Sequence, residues 1–187
     1  MAFNIDTFRN KVQGIQRATL FEVMVSFDDF ETENFMFTCK AASIPSSTFG
    51  LIEVPYMGRK IKFNGDRNYQ DWNTTVIVDN GWESYKNIYN WHKKMNDPRD
   101  NLANNNSIMA HKGTAIIRTY AQNGEVNFGM KLDGFFPYDL QQLDMGWDST
   151  DQTTDLNVTW AYDFAEMLDR TGTNNYWWSS TRRTSTA

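Results

Sequence analysis

The sequence predicts a mainly β protein, a β-sandwich or partly open antiparallel barrel with one flanking α-helix. Three observations point there. Several runs alternate apolar and polar residues with period two, the signature of strands that bury one face. Apolar residues make up 40% and aromatics 15% of the 187 residues, which favours packed sheets over disorder and suffices for one domain with a sizeable core. One segment with strong helical spacing stands among the strands, Trp82 to Met95.

Taken in order, Phe8, Val12 and Ile15 recur at helical spacing after Asp6 and Thr7, so residues 1–17 read as an arm or short helix that needs a partner surface. Ala18 to Asp28 is a strand with Phe21, Val23, Val25 and Phe27 on one face. Asp28 to Glu33 is an acidic turn. Asn34 to Ile44, where Phe35, Phe37 and Cys39 alternate, is expected to pair with the first strand as a hairpin. Cys39, the only cysteine, excludes an internal disulfide and reads as a small buried hydrophobe.

Pro45 to Met57 combines loop formers with large apolar residues. Ser46, Ser47 and Gly50 accompany Phe49, Leu51, Ile52, Val54 and Tyr56, so the stretch reads as a loop folded back on the body or docked on another chain. Arg59 to Phe63 is a short strand. Asn64-Gly65 is expected to break it, and Asp66 to Asp71 reads as a polar turn. The charges Arg59, Lys60, Asp66 and Arg67 are candidates for subunit contacts; a pair such as Asp66-Arg67 left in solvent contributes only about 0–1 kcal/mol, whereas a desolvated pair fixes register.

Trp72 to Asp79 alternates, with Trp72, Thr74, Val76 and Val78 on one face. In the helix that follows, Asn80 and Glu83 have capping-box spacing, and Trp82, Tyr85, Tyr89, His92 and Met95 form the expected core stripe. Pro98 to Lys112 is an Asn-rich loop. Gly113–Gln122 and Glu125–Asp133 flank Asn123-Gly124, expected as a type I′ hairpin, with Ile116 and Tyr120 sharing a face and Val126, Phe128, Met130 and Leu132 forming the apolar face of the return strand. Gly134 to Pro137 reads as a break, Tyr138 to Trp147 as irregular or strand-like, and Asp155 to Phe164 as the last strand, burying Leu156, Val158 and Trp160. Residues 165–187 read as a C-terminal extension.

No arrangement of residues points to catalysis. His92 and His111 lack zinc-site spacing, and there is no phosphate-binding loop or nucleophile elbow. Neither a metal nor a cofactor is implied. No apolar run reaches the roughly 20 residues of a membrane helix, and the N-terminus does not read as a signal peptide. The net charge of −5 disfavours a dedicated nucleic-acid binder.

The ordered pattern Arg59-Lys60-Ile61, then Gly65-Asp66-Arg67, then Asp71-Trp72 and Thr74, followed by a helix, resembles the tail tube protein family of contractile-tailed, T4-like bacteriophages. The Gly134–Pro137 segment and Trp147-Asp148-Ser149 are similar to the same family, and the likeness runs from about Leu20 to Phe164. Asp71, Trp72 and Trp147 are its motif residues. The resemblance implies a tail-tube (Hcp-like) β domain over residues 18–164. It also implies a structural virion protein that forms hexameric rings, stacked through the Pro45–Met57 loop. A sheath lies outside, DNA and tape measure pass within, and baseplate and terminator close the ends. A ring of six would carry six times −5, or −30, and repel DNA within a Debye length of roughly 8 Å. Alternatives are the tube of a contractile injection or type VI-like secretion system, a carbohydrate-binding β-sandwich, and a β-rich hydrolase.

Overall fold

The computed structural model describes residue 5 and residues 15–28, 32–103, 107–148 and 152–168. The elements run β1 (Phe21–Ser26), α1 (Thr32–Thr38), β2 (Cys39–Ala42), β3 (Ser47–Tyr56), β4 (Arg59–Tyr69), β5 (Trp72–Ile77), α2 (Glu83–Met95), a single 3₁₀ turn (Ile108–His111), β6 (Gly113–Tyr120), β7 (Val126–Leu140), β8 (Asp155–Ala161) and β9 (Phe164–Leu168). Seven strands form one antiparallel sheet in the order β1-β6-β7-β8-β5-β2, with β9 added to β7; β3 and β4 form a separate two-stranded sheet. The fold is mainly β, as the alternation requires.

β7 organises the sheet. Its first part lies between β6 and β9, and its last part pairs with β8. The change of neighbours falls at Gly134, which sits at φ +68, so Gly134–Pro137 is not a break but the joint of one 15-residue strand. A Cβ there would stand 2.1 Å from a carboxylate oxygen of Asp163, so the joint admits only glycine.

The core fills the space between β1-β6-β7 and β7-β8-β5. Val23 and Val25 face Ile117 and Ala115, which face Met130 and Leu132. Phe135 stacks on Trp160 with centroids 4.5 Å apart, and Trp91 of α2 joins them at about 6 Å from each. Each buried indole N–H has an acceptor: Ser43 carbonyl for Trp72, His111 carbonyl for Trp91 and Thr74 hydroxyl for Trp160.

Several expectations change. Residues 32–38 are helical, not the first half of a strand; Phe35 is buried but Phe37 is 79% exposed, so the alternation of Phe35, Phe37 and Cys39 marks no common face. β1 pairs with β6 and β2 with β5, so no β1–β2 hairpin exists. The buried stripe of α2 is Ser84, Ile88 and Trp91, offset from the Tyr85–Tyr89 line. Small Ser84 lets α1 approach, and its hydroxyl lies 3.2 Å from that of Thr38. The cap is Asp79, which accepts from Glu83 N–H at 3.0 Å and Gly81 N–H at 3.2 Å, in place of Asn80. In β6 Ile116 and Tyr120 do share a face, and the buried one is the opposite face, Ala115 and Ile117. The β6–β7 turn has Gly124 alone at positive φ, with Gly124 N–H bonded to Ala121 carbonyl, which is one residue longer than a type I′ loop. Residues 165–168, read from the sequence as the start of an extension, pair with β7 as most of β9. Of the arm expected at 1–17, residues 1–4 and 6–14 lie outside the described residues, as do residues 169–187 of the extension.

Candidate assembly surface

The Pro45–Met57 stretch is not a loop. Ser47–Tyr56 is strand β3, and it pairs along its length with β4. Tyr56 faces Arg59 across a two-residue turn, Met57-Gly58, whose residues have φ 47 and 77. This is the mirror-image turn geometry that suits strand twist, and Gly58 supplies it without strain. The Asn64-Gly65 break is instead a bulge. Phe49 faces Arg67 and Leu51 faces Asn64, so Gly50 on β3 opposes Gly65 and Asp66 on β4. Residues 66–69, expected as a turn, continue the strand.

Register sorts the arm into two faces. Ile52 faces Phe63, Val54 faces Ile61 and Tyr56 faces Arg59, which places five large apolar side chains on one side. Glu53, Lys60 and Lys62 lie on the other, with Glu53 bonded to Lys60 at 2.9 Å and near Lys62 at 3.9 Å. Arg67 lies over the Phe49 ring at 4.7 Å. Every residue of β3 is exposed; Leu51 is 67% and Phe63 53% accessible. An isolated two-stranded hairpin is at best marginally stable in water, and among the described residues nothing forms a second layer over this one's apolar face.

Among the described residues the arm is anchored at its base. Gln70 N–H donates to Ser46 carbonyl at 3.1 Å, and Tyr69 packs at 5.7 Å from Tyr162. A cleft of about 440 Å³ lies between Ser46, Ser47, Arg67 and Tyr69 on one side and Met130, Phe164 and Met167 on the other.

The eleven candidate contact residues therefore sit on one projecting element or, for Ser46, at its root. Of the three motif residues, Trp72 is fully buried at the start of β5, Asp71 is exposed beside it, and Trp147 is fully exposed in the segment after β7. Sequence reading missed the β3–β4 pairing. The signal was Gly58 between two runs of matching alternation, Ile52-Val54-Tyr56 and Arg59-Ile61-Phe63.

The outer face of β2, β5 and β8 is polar and pairs with itself. Thr75 donates to Asn157 at 2.9 Å, Thr159 to Asn73 at 2.8 Å, and Lys40 to Asp155 at 2.6 Å, which holds that carboxyl below its ordinary value. Burial pushes the Cys39 thiol up to about 12, so it is a poor nucleophile at neutral pH. Among the described residues no cluster of His, Cys, Asp and Glu is placed to hold a metal ion, and no helix is long and apolar enough to cross a membrane.

A profile of phage tail tube proteins matches residues 3–164. The chain belongs to the phage tail tube protein family. Tail tube protein gp19 of Enterobacteria phage T4 is 30% identical over 151 residues, covering 80% of this chain and 90% of that one. The tail tube protein of Serratia phage KSP90 is 27% identical over 164 residues, covering 84% and 90%. Among solved structures, a chain of the sheath/tube terminator of an extracellular contractile injection system superposes with a TM-score of 0.64 at 15% identity, over 84% of this tail tube protein and 99% of that chain. This tail tube protein is a structural component of the virion tail and not an enzyme, and the carbohydrate-binding and hydrolase readings fall away with that.

Proposed function

We propose that the chain closes into rings of six that stack into a hollow tube, through which DNA and the tape measure protein pass. A sheath protein packs outside, and baseplate and tail terminator proteins close the two ends. The observation that carries this reading is the β3–β4 arm. Its apolar face, Ile52, Val54, Tyr56, Ile61 and Phe63, has no cover among the described residues, and an exposed face of that size marks a surface that another subunit buries.

The Asn and Thr ladder on β5 and β8 suits a bore. Its Thr hydroxyls donate to the Asn carbonyl oxygens across the ladder, so those hydroxyl protons are spent within the face and not on a sliding phosphate backbone. A net charge of −5 per chain acts in the same direction.

Ile52→Asp with Val54→Asp tests the reading. The variant is expected to keep the circular dichroism of the parent subunit and to yield no tubes in negative-stain images. Long tubes of normal appearance from this variant would refute the stacking role. The tube of an injection system shares the fold, and loading of a genome into particles carrying the chain separates the two.

A further inference from the structure

We propose that the segment after β7, residues 143–148 with Trp147 at its centre, is the seat that receives the β3–β4 arm of a copy in the next ring. The inference rests on the stacked-ring reading above and deepens it by naming the other half of the junction. A stack built from identical rings is head-to-tail: the surface at one end must fit a different surface at the other. The arm supplies one surface, and its fit should lie at the far end of the same sheet.

β5 and β8 define those two ends. Trp72 faces Trp160 at one end and Ile77 faces Asp155 at the other, about 17 Å of strand apart. The arm is rooted at the Trp72–Trp160 end, where Gln70 bonds Ser46 and Tyr69 meets Tyr162. The segment after β7 leaves at the opposite end. Gln141 N–H bonds Asn157 carbonyl at 3.1 Å, and Leu143 packs on the core. Beyond that anchor Met145 is 70% exposed and Trp147 wholly exposed. Tryptophan is among the residue types most enriched at the centre of interfaces, and this one has no burial within the chain as described.

Charge agrees with shape. Residues 51–64 of the arm carry three cations against one carboxylate, Glu53; Arg59 lies on the apolar face beside the turn, and Lys60 and Lys62 lie on the other face, at Glu53. The seat carries Asp144 and Asp148, both exposed, on either side of Trp147, and no cation. Apolar face meets tryptophan, and Arg59 on that face, with Lys60 beside it at the turn, meets the acidic rim, which fixes register more than it adds affinity.

Tube assembly from purified subunits, followed by sedimentation and negative stain, tests the junction. R59E/K60E alone, D144K/D148K alone and Trp147→Ala alone are each expected to cut tube yield about tenfold or more. R59E/K60E combined with D144K/D148K is expected to regain tubes, which a variant that merely failed to fold would not do. Normal tubes from Trp147→Ala, or no recovery in the combined variant, overturn the proposal. So does a result in which all variants form tubes but sheath protein no longer coats the Trp147→Ala tube, since that assigns the seat to the sheath. Failure of the unaltered chain to form tubes would instead sink the stacked-ring reading itself.

Discussion

Trp160 carries an indole N–H into the driest part of the core, and the Thr74 hydroxyl 2.8 Å away receives it. Both residues are buried, so the donor has no water to turn to. Thr74→Val keeps the shape and removes the acceptor. It is expected to cost about 1–3 kcal/mol of subunit stability, read from urea denaturation of the unassembled protein. A midpoint unchanged from the parent would show that the indole finds another partner. The inward positions of β1, β5 and β8 were legible because each strand buries every second residue and little else. The Trp160–Thr74 bond was not, since it joins side chains 86 residues apart. Phe35 and Phe37 misled for a related reason. Two aromatics with one residue between them imitate a strand, and only the packing of α1 on β1 decides that Phe35 goes in and Phe37 out.

At the level of elements, one strand serves two neighbourhoods. β7 reaches past Gly134 from the β6–β9 side to the β8 side, and Asp163 fills the space where a Cβ would go. Asp163 in turn accepts from Lys112 at 2.6 Å and 2.7 Å, and its N–H donates to Asp133 carbonyl at 3.0 Å. Gly134→Ala meets both an unfavourable left-handed backbone and a clash with that clasp. A loss of about 2–4 kcal/mol is expected in the same denaturation assay; a loss under about 1 kcal/mol would mean that Asp163 moves aside freely. Glycine and proline in Gly134–Pro137 read as punctuation from sequence alone, because local preference says nothing of a strand that must change partners. β9 was missed because Phe164–Leu168 has no alternation: Leu168 is buried, Ala165 and Glu166 are half-buried, and the remainder is exposed. The arm was missed because it has no buried face to impose a pattern, and its Pro55 argues against a strand that is not an edge.

For the whole molecule, the division is between a body with a layered aromatic core and an arm with none. That difference predicts where order is gained on assembly. Backbone amides of residues 47–69 should exchange hydrogen rapidly in the free subunit and become protected in the tube, while those of β6 and β7 stay protected in both. Equal protection of the arm in both states would mean that it is stabilised before any neighbour arrives. The body and its helix follow from hydrophobic period and turn chemistry, which lie in one sequence. The use of the arm does not, because on the proposed stacking the residues that cover it belong to another copy.

Because the arm is rooted at a single end of β5, any column of such rings has a front and a back that differ chemically. The front ring presents a collar of greasy hairpins to water, and the back ring presents none. In the proposed stack identical rings repeat one head-to-tail contact at every addition, and such a contact carries no count of its own. Whatever halts growth at the front must hide that collar, whereas the closure at the back faces a wholly different chemical problem.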